Sequence, residues 1–334
     1  MKILIATPLG KITLSLANYF KKAFIGLGHY CEIFSYVYDR FTSKIKLPLV
    51  KSLELSFIEQ KFYKKISRYL PDLIIVINGE NFSSQVINKV KERCQIKTAL
   101  LSTDDPYSLD NSVRISPFYD YCFTTDSGSI SAHRNAGCLN VKFIPFGCMS
   151  EIHKRLNLSE EDKKLYGSDI VFIGGITPYR LGILEKLADF NLKIWSPRNF
   201  QQTKNPLPSS LPVYSKITGK PAWDEEMVKI YNASKIVLNI YSLKISADNN
   251  MRLFEAPACG VFTLTEKKNI LPNLFKDKEE IVFFENIAQL KELINYYLDH
   301  PEEREAIAKK GQKRAYRDHT YFKRAEEFLS FLKG

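Results

Sequence analysis

The sequence predicts an α/β protein made of two Rossmann-like, doubly wound domains that follow one another and face across a cleft. Three observations lead there. Short β-branched or apolar runs alternate with amphipathic stretches of helical period along the whole chain. The alternation stops once, in a polar stretch near residue 150, and then restarts. The 334 residues are enough for two domains of ordinary size, each with its own core.

In the first half, residues 3–6, 31–36, 73–77, 98–101, 121–124 and 141–144 read as buried strands. Residues 12–27, 55–69, 84–93 and 129–136 read as the helices between them. Such β-α-β alternation calls for a parallel sheet covered on both faces. A connecting stretch carrying Pro145, Gly147 and the polar run LNLSEEDKK follows. Strands at 170–173, 192–195, 236–240, 261–264 and 281–284 come next, with helices at 179–188, 224–233, 250–258 and 287–298. Residues 197–221, rich in Pro, Ser and Lys, form an irregular excursion, and residues 301–332 read as two helices. The expected division is an acceptor domain over 1–147, a nucleotide domain over 148–315, and a last helix over 316–334.

Composition narrows the function. A hydrophobic content of 45% with 25% charged residues belongs to a folded globular chain. No apolar run reaches the length that spans a bilayer, and the N-terminus reads as a first strand rather than a signal peptide. A cytoplasmic location is expected, with the six cysteines reduced. They stand singly, without a CxxC or Cys/His cluster, so no zinc site is expected and core positions suit them. The net charge of +11 is uneven, with 12 Lys+Arg against 4 Asp+Glu in residues 1–68. Lys44, Lys46, Lys51, Lys61, Lys64, Lys65 and Arg68 are interleaved there with Leu49, Leu53, Phe57, Phe62 and Tyr63. This is either a solvated helix face or, over residues 40–68, a peripheral contact with anionic lipid at the inner face of a membrane. No nucleic-acid motif accompanies the charge, so nucleic acid is not expected as a partner.

Two segments carry chemistry. In VFIGGITPYR (171–180) a strand ends in Gly174 and Gly175 and enters a helix within a few residues. Glycines there let the backbone approach a phosphate, and a helix N-terminus favours negative charge. A plain strand-to-helix turn would have the same pattern. In NNMRLFEAPACGVFTL (249–264), Arg252 and Glu255 stand at i and i+3 and share one helix face. An Arg in a first turn opposes the helix dipole, which makes sense beside an anion, and its fork suits a diphosphate. Glu255 one turn on can accept from two ribose hydroxyls. The alternative is an intrahelical pair worth a few tenths of a kcal/mol. Gly260 stops the helix.

NNMRLFEAPACG resembles the nucleotide-sugar segment of GT-B glycosyltransferases (glycosyl transferases group 1), and within them the spore-maturation CgeB-like group. VFIGGITPYR, the NIY at 239–241, HTYFKR at 319–324 and STDDPY at 102–107 are similar to that group as well. The resemblance implies that Arg252 holds a donor diphosphate and Glu255 the ribose. Gly174, Gly175, Arg180, Asn239, Tyr241 and Asn250 would lie around the donor. It also implies metal-independent transfer without a cofactor, from a nucleotide-diphospho-sugar, UDP-linked in the favoured case. The acceptor would be a glycan, a protein or a lipid-linked sugar. GT-B chains send their last helix back to the first domain, which would place His319 near that crossing in a structural role. The strict EX7E pattern is absent, since Ala247 stands eight positions before Glu255 with Asp248 beside it. No DxD motif is present in a suitable loop, and no metal site is expected.

In the first domain three strand-end loops should face the cleft: TPLG (7–10), NGEN (78–81) and TDDP (103–106). Gly10 can approach an acceptor closely. Glu80, Asp104 and Asp105 are the carboxylates available as a general base. Asp104 or Asp105 could equally cap a turn before Pro106. His133 could reach the cleft from helix 129–136 or lie on the surface. A glycosyltransferase is the leading expectation. A nucleotide-sugar epimerase on the same fold and a non-catalytic nucleotide-sugar-binding protein remain open.

Overall fold

The computed structural model describes residues 1–36, 48–79, 84–201, 203–242 and 249–333. The chain divides into two compact units. Unit 1 comprises Met1–Pro145 together with Tyr321–Gly334, and unit 2 comprises Phe146–Thr320.

Unit 1 runs β1 (Lys2–Pro8), α1 (Lys11–Gly26), β2 (Tyr30–Tyr36), α2 (Pro48–Tyr69), β3 (Leu73–Ile77), α3 (Ser84–Cys94) and β4 (Lys97–Ser102). It continues through α4 (Leu109–Ile115), β5 (Tyr121–Thr124), α5 (Ile130–Asn135) and β6 (Val141–Phe143). The six strands are all parallel, in the order β2-β1-β3-β4-β5-β6. β3, LIIVI, is buried at every position, as a central parallel strand covered on both faces must be. Leu4, Ala6, Ile74, Val76 and Leu100 turn to one face and pack with Ile58, Phe62 and Ile66 of α2 and Val86, Ile87 and Val90 of α3. The other face receives α1 and the last helix. There Phe123 stacks on Phe328 with centroids 3.7 Å apart, and Phe20 and Phe24 meet Phe328 edge-on.

The inward turn of α2 changes the reading of the basic stretch. Phe62 has no exposed surface, so it serves its own core rather than a membrane. Phe57 is exposed and carries Lys61 over its ring at 4.3 Å. Lys65 pairs with Glu32. Lys44 and Lys46 lie outside the described residues, as do the side chains of Leu49, Lys51 and Leu53.

Unit 2 runs α6 (Glu160–Tyr166), β7 (Ser168–Ile173), α7 (Pro178–Glu185), β8 (Leu192–Trp195), α8 (Asp224–Ala233), β9 (Ser234–Asn239) and α9 (Arg252–Ala258). β10 (Phe262–Glu266), α10 (Leu271–Leu274), β11 (Val282–Phe284), α11 (Ile287–Asp299) and α12 (Pro301–Asp318) complete it, and α13 (Tyr321–Phe331) returns to unit 1. The five parallel strands lie in the order β11-β10-β9-β7-β8. The two faces are legible in the alternation. Ile170, Phe172, Ile236 and Leu238 enter one core, whereas Val171, Ile173 and Val237 enter the other with α8. The chain enters and leaves unit 2 side by side, where the Cys148 amide donates to the His319 carbonyl at 2.8 Å.

Both sheets are Rossmann-like and share one winding: the first strand of each lies between the second and the third. In such sheets the strand order reverses at the first and third strands, and ligands bind beyond their carboxyl ends. Those places are β1/β3 in unit 1 and β7/β9 in unit 2.

Candidate functional site

In unit 2 the switch point is bridged by one side chain. α9 is short because Gly260, at φ 69°, takes the left-handed conformation that ends it. It starts at Arg252, whose Nη1 donates to Oδ1 of Asn239 at the end of β9 (2.8 Å). Its Nη2 donates to the Ile173 carbonyl at the end of β7. Phe172 lies under the guanidinium, 5.0 Å from ring centroid to Cζ. Asn239 is fully buried and spends its other atoms on the same task. Its Oδ1 also accepts from Asn250 Nδ2 (2.9 Å), and its Nδ2 donates to Thr265 Oγ1 (3.0 Å). Asn250 Oδ1 in turn accepts from the Leu253 amide at 3.1 Å, which satisfies a first-turn donor of α9. Asn239, Asn250 and Arg252 therefore form one clamp, with a cation fixed above the switch point.

Gly174 and Gly175 face this clamp. A Cβ on Gly174 would stand 2.6 Å from Arg252 Nη2, and one on Gly175 would stand 2.4 Å from Gln201 Oε1. Gly174 also has φ 150°. Thr177 caps α7 by accepting from the Arg180 amide (3.2 Å) and donates to the Ser242 carbonyl (2.7 Å). Arg180 is buried and committed to backbone. Its Nε and Nη2 reach the Ile240 carbonyl at 3.1 and 3.0 Å, and its Nη1 reaches that of Gly175 at 2.8 Å. This guanidinium ties the glycine loop to the end of β9. Tyr241 is buried, and its amide donates to Glu266 Oε2 at 3.2 Å. Tyr179 Oη (2.7 Å) and Lys268 Nζ (3.0 Å) both donate to Glu266 Oε1.

Glu255 lies one turn after Arg252 with 7% of its side chain exposed. Burial pushes its carboxyl up to about 7, against the pull of Arg252 and with a further push from Asp224. The imidazole of His153 faces it, Nε2 to Oε1, at 3.7 Å.

In unit 1, Gly10 follows β1 and is exposed, and its Cβ position would be 3.1 Å from Thr13 Oγ1. Asn78 follows β3. Its Oδ1 accepts from the Thr103 amide (2.8 Å), and its Nδ2 donates to Asp104 Oδ2 (2.8 Å). Asp104 remains exposed. Glu80 lies outside the described residues, as do Ala247 and Asp248.

Asp105 and His133 must be moved out of the group that could touch a substrate. Neither has exposed surface, and they face each other at 2.9 Å from His133 Nε2 to Asp105 Oδ2. Asp105 also accepts from Ser112 Oγ (2.6 Å) and Thr124 Oγ1 (2.7 Å), and His133 Nδ1 lies 2.9 Å from Ser116 Oγ. Burial alone would push the Asp105 carboxyl up. The bonds from His133, Ser112, Thr124 and Ser102 outweigh it and hold the group below the ordinary carboxylate range. The pair is an internal tie between β5, α4 and α5. The expected cleft-facing or surface helix instead turns its histidine inward. His319 is buried as well, with Nε2 2.7 Å from the Leu274 carbonyl and its ring between Phe254 and Phe275.

Sequence reasoning missed His153, Glu266 and Lys268. His153 and Lys268 stand among other polar residues, and none of the three has a spacing signal. A carboxylate closing a strand, as Glu266 does after FTLT, was the one available hint. Among the described residues no group of three or more His, Cys, Asp or Glu is arranged to hold a metal ion.

Residues 180–330, which begin at Arg180 and include the whole clamp segment, match the family described as glycosyl transferase-like. Spore protein CgeB of Bacillus subtilis (strain 168) is 22% identical over 265 residues, 75% of this chain and 79% of CgeB. Over these stretches the chain is similar to glycosyl transferase-like proteins and to CgeB. Solved GT-B structures agree in fold. Anabaena HepE in complex with UDP-glucose superposes with a TM-score of 0.68 at 15% identity, covering 100% of this chain and 99% of that one. Sucrose-phosphate synthase from Thermosynechococcus elongatus gives 0.68 at 14% identity, covering 100% and 98%. A Listeria monocytogenes protein provisionally described as a UDP-N-acetylglucosamine 2-epimerase gives 0.61 at 12% identity, covering 100% and 96%. The clamp thus sits where a doubly wound sheet takes its ligand, inside the segment similar to glycosyl transferase-like proteins.

Proposed function

We propose that this protein is a metal-independent glycosyltransferase that takes its sugar from a nucleotide-diphospho-sugar, with UDP as the favoured carrier. The observation that carries the reading is the Arg252 guanidinium. It is fixed to β7 and β9 at the switch point of unit 2, with Glu255 one turn further along the same helix. A cation so placed neutralises a departing diphosphate without moving at the moment of reaction, which is the form of catalysis that costs least reorganisation. Gly174 and Gly175 let the loop backbone lie close against Arg252 and Gln201, and Glu255 accepts from the ribose diol. Asn239 and Asn250 hold the guanidinium, and Arg180 and Tyr241 shape the loops around it. The choice of UDP is supported by the UDP-glucose bound to HepE.

The acceptor, a glycan, a protein or a lipid-linked sugar, is assigned to the strand ends of unit 1, near Gly10. Asp104 is exposed there as a candidate general base, and Glu80 is the second candidate, outside the described residues. Contact with an anionic membrane through residues 40–68 would bring a lipid-linked acceptor close. Phe57, Lys61, Lys64 and Arg68 are exposed, described side chains that could make it.

Calorimetry with UDP and GDP on wild type, Arg252→Ala and Glu255→Ala tests the donor site. Loss of nucleotide binding in both variants, each still folded by circular dichroism, is the expected result. Wild-type affinity in both would remove the basis for the assignment. Because an epimerase-described protein shares the fold, sugar turnover should also be followed in deuterium oxide without acceptor. Deuterium entering the sugar would favour epimerisation over transfer.

A further inference from the structure

Glu255 has an orienting neighbour outside its own helix. Residues 149–153 form a single helical turn, in which the amides of Ile152 and His153 donate to the Met149 carbonyl at 2.9 and 2.7 Å. The Met149 amide returns to Nδ1 of His153 at 3.0 Å. A ring nitrogen that accepts from an amide carries no proton, so the proton of the neutral imidazole sits on Nε2. The ring is neutral because it is fully buried, which pushes its pKa down to about 4. Nε2–H then faces Glu255 Oε1. The turn itself is held. Tyr316 Oη donates to the His153 carbonyl at 2.9 Å, and Arg155 Nη1 donates to the Gly260 carbonyl at 2.9 Å, just past α9.

The other charged or titratable groups around Glu255 are Arg252 on its own helix, Asp224 at the start of α8, Tyr231 further along α8, and Cys259. Asp224 repels a carboxylate and Arg252 is committed to β7 and β9. His153 is the neighbour with a fixed N–H turned toward Oε1.

We propose that His153 is the positioning residue of Glu255: the Nε2–H that its bond to Met149 enforces holds one carboxylate oxygen and leaves the other for the diol of a nucleoside ribose. This rests on the ribose reading of Glu255 given above. The present 3.7 Å is longer than a hydrogen bond, and a small rotation of the carboxylate closes it. Contacts of this kind tighten when the ligand arrives.

The first test needs no ligand and no variant. A nitrogen-15 correlation spectrum of the histidine rings at pH 7 should show His153 as the neutral Nε2–H tautomer. The Nδ1–H tautomer or an imidazolium would overturn the proposal. The second test compares UDP with 2′,3′-dideoxy-UDP by calorimetry. Wild type should prefer UDP about tenfold, the worth of one to two net hydrogen bonds. His153→Phe keeps a ring of similar size without nitrogens and should reduce that preference to near unity, leaving dideoxy-UDP affinity unchanged. His153→Gln, which restores an N–H at similar reach, should recover most of it. A wild-type preference surviving in His153→Phe would overturn this proposal alone. A wild type indifferent to the two hydroxyls would overturn the ribose reading of Glu255, and this proposal with it.

Discussion

Arg252 Nη1 and Asn239 Oδ1 lie 2.8 Å apart, so a buried amide at the end of one strand aims the cation at the start of the next helix. The same oxygen holds Asn250, and the amide nitrogen is spent on Thr265. Asn239→Ala removes the aim and keeps the charge. Nucleotide affinity should fall about tenfold, against roughly a hundredfold for Arg252→Ala, since hydrogen bonds to charged groups are worth about 1.5–3 kcal/mol. Calorimetry on both variants checks the order.

Gly174 and Gly182 make a matched pair of substitutions. Alanine at 174 sets a Cβ 2.6 Å from Arg252 Nη2 and must also accept a φ of 150°. Gly174→Ala should lose about 1–3 kcal/mol and weaken nucleotide binding together. Gly182 lies inside α7 with open space where a Cβ would go. Gly182→Ala should be stabilising by about 0.5–1 kcal/mol and leave binding alone. Urea denaturation and calorimetry read both.

Asp105→Ala separates structure from catalysis. It removes the carboxylate that His133, Ser112 and Thr124 share and leaves the hydroxyls only their longer bonds to the Leu109 and Asp126 carbonyls. The expected cost is about 3–5 kcal/mol of stability. Turnover per folded molecule, measured well below the melting temperature, should stay within a factor of two of wild type. A thousandfold loss in a folded variant would make Asp105 catalytic after all.

Glu255 and His153 carry opposed pH terms. From pH 4.5 to 7 the folded protein keeps a proton on Glu255 that the unfolded chain has released, so this contribution to stability falls as pH rises. From pH 4 to 6.5 the unfolded chain binds a proton on His153 that the folded protein excludes, so that contribution rises with pH. The slopes cancel where the windows overlap. Glu255→Gln should expose the rising limb, roughly 3 kcal/mol between pH 4 and 6.5 relative to wild type. His153→Phe should expose the falling limb between pH 4.5 and 7. Urea titrations at a series of pH values give both.

Strands were the most legible part of the sequence. The runs at 73–77, 121–124 and 192–195 are β3, β5 and β8 to the residue: β3 is apolar and buried at every position, and β5 and β8 are mostly buried runs in which Thr124 and Lys193 are the polar exceptions. The segment 250–258 yielded α9, since a helix that opens with Arg and closes with Gly is an unusual local pattern. The short helices α4 and α6 did not show. α4 has one buried residue and α6 has none, so neither leaves an apolar stripe to read. In the candidate site, Arg252 and Glu255 share one helix face, which their i, i+3 spacing encodes. His153 stands 102 positions away and acts through a bond to its own backbone, which no spacing encodes. Asp105 and His133 misled for a related reason: a strand-end acid and a helix histidine look alike whether their loop opens outward or folds over them.

The stacking of Phe123 on Phe328 has a consequence for how the molecule is made. Unit 2 is a continuous stretch of chain, Phe146–Thr320, and can complete itself as it leaves the ribosome. The earlier-synthesised unit cannot. On the sheet face that α1 and α13 share, Phe123 of β5 and Phe20 and Phe24 of α1 wait without Phe328 through the translation of 175 further residues, until α13 emerges. At typical elongation speeds that interval lasts about 10–40 s. Throughout it, the nascent chain presents an aromatic surface of the kind that chaperones bind.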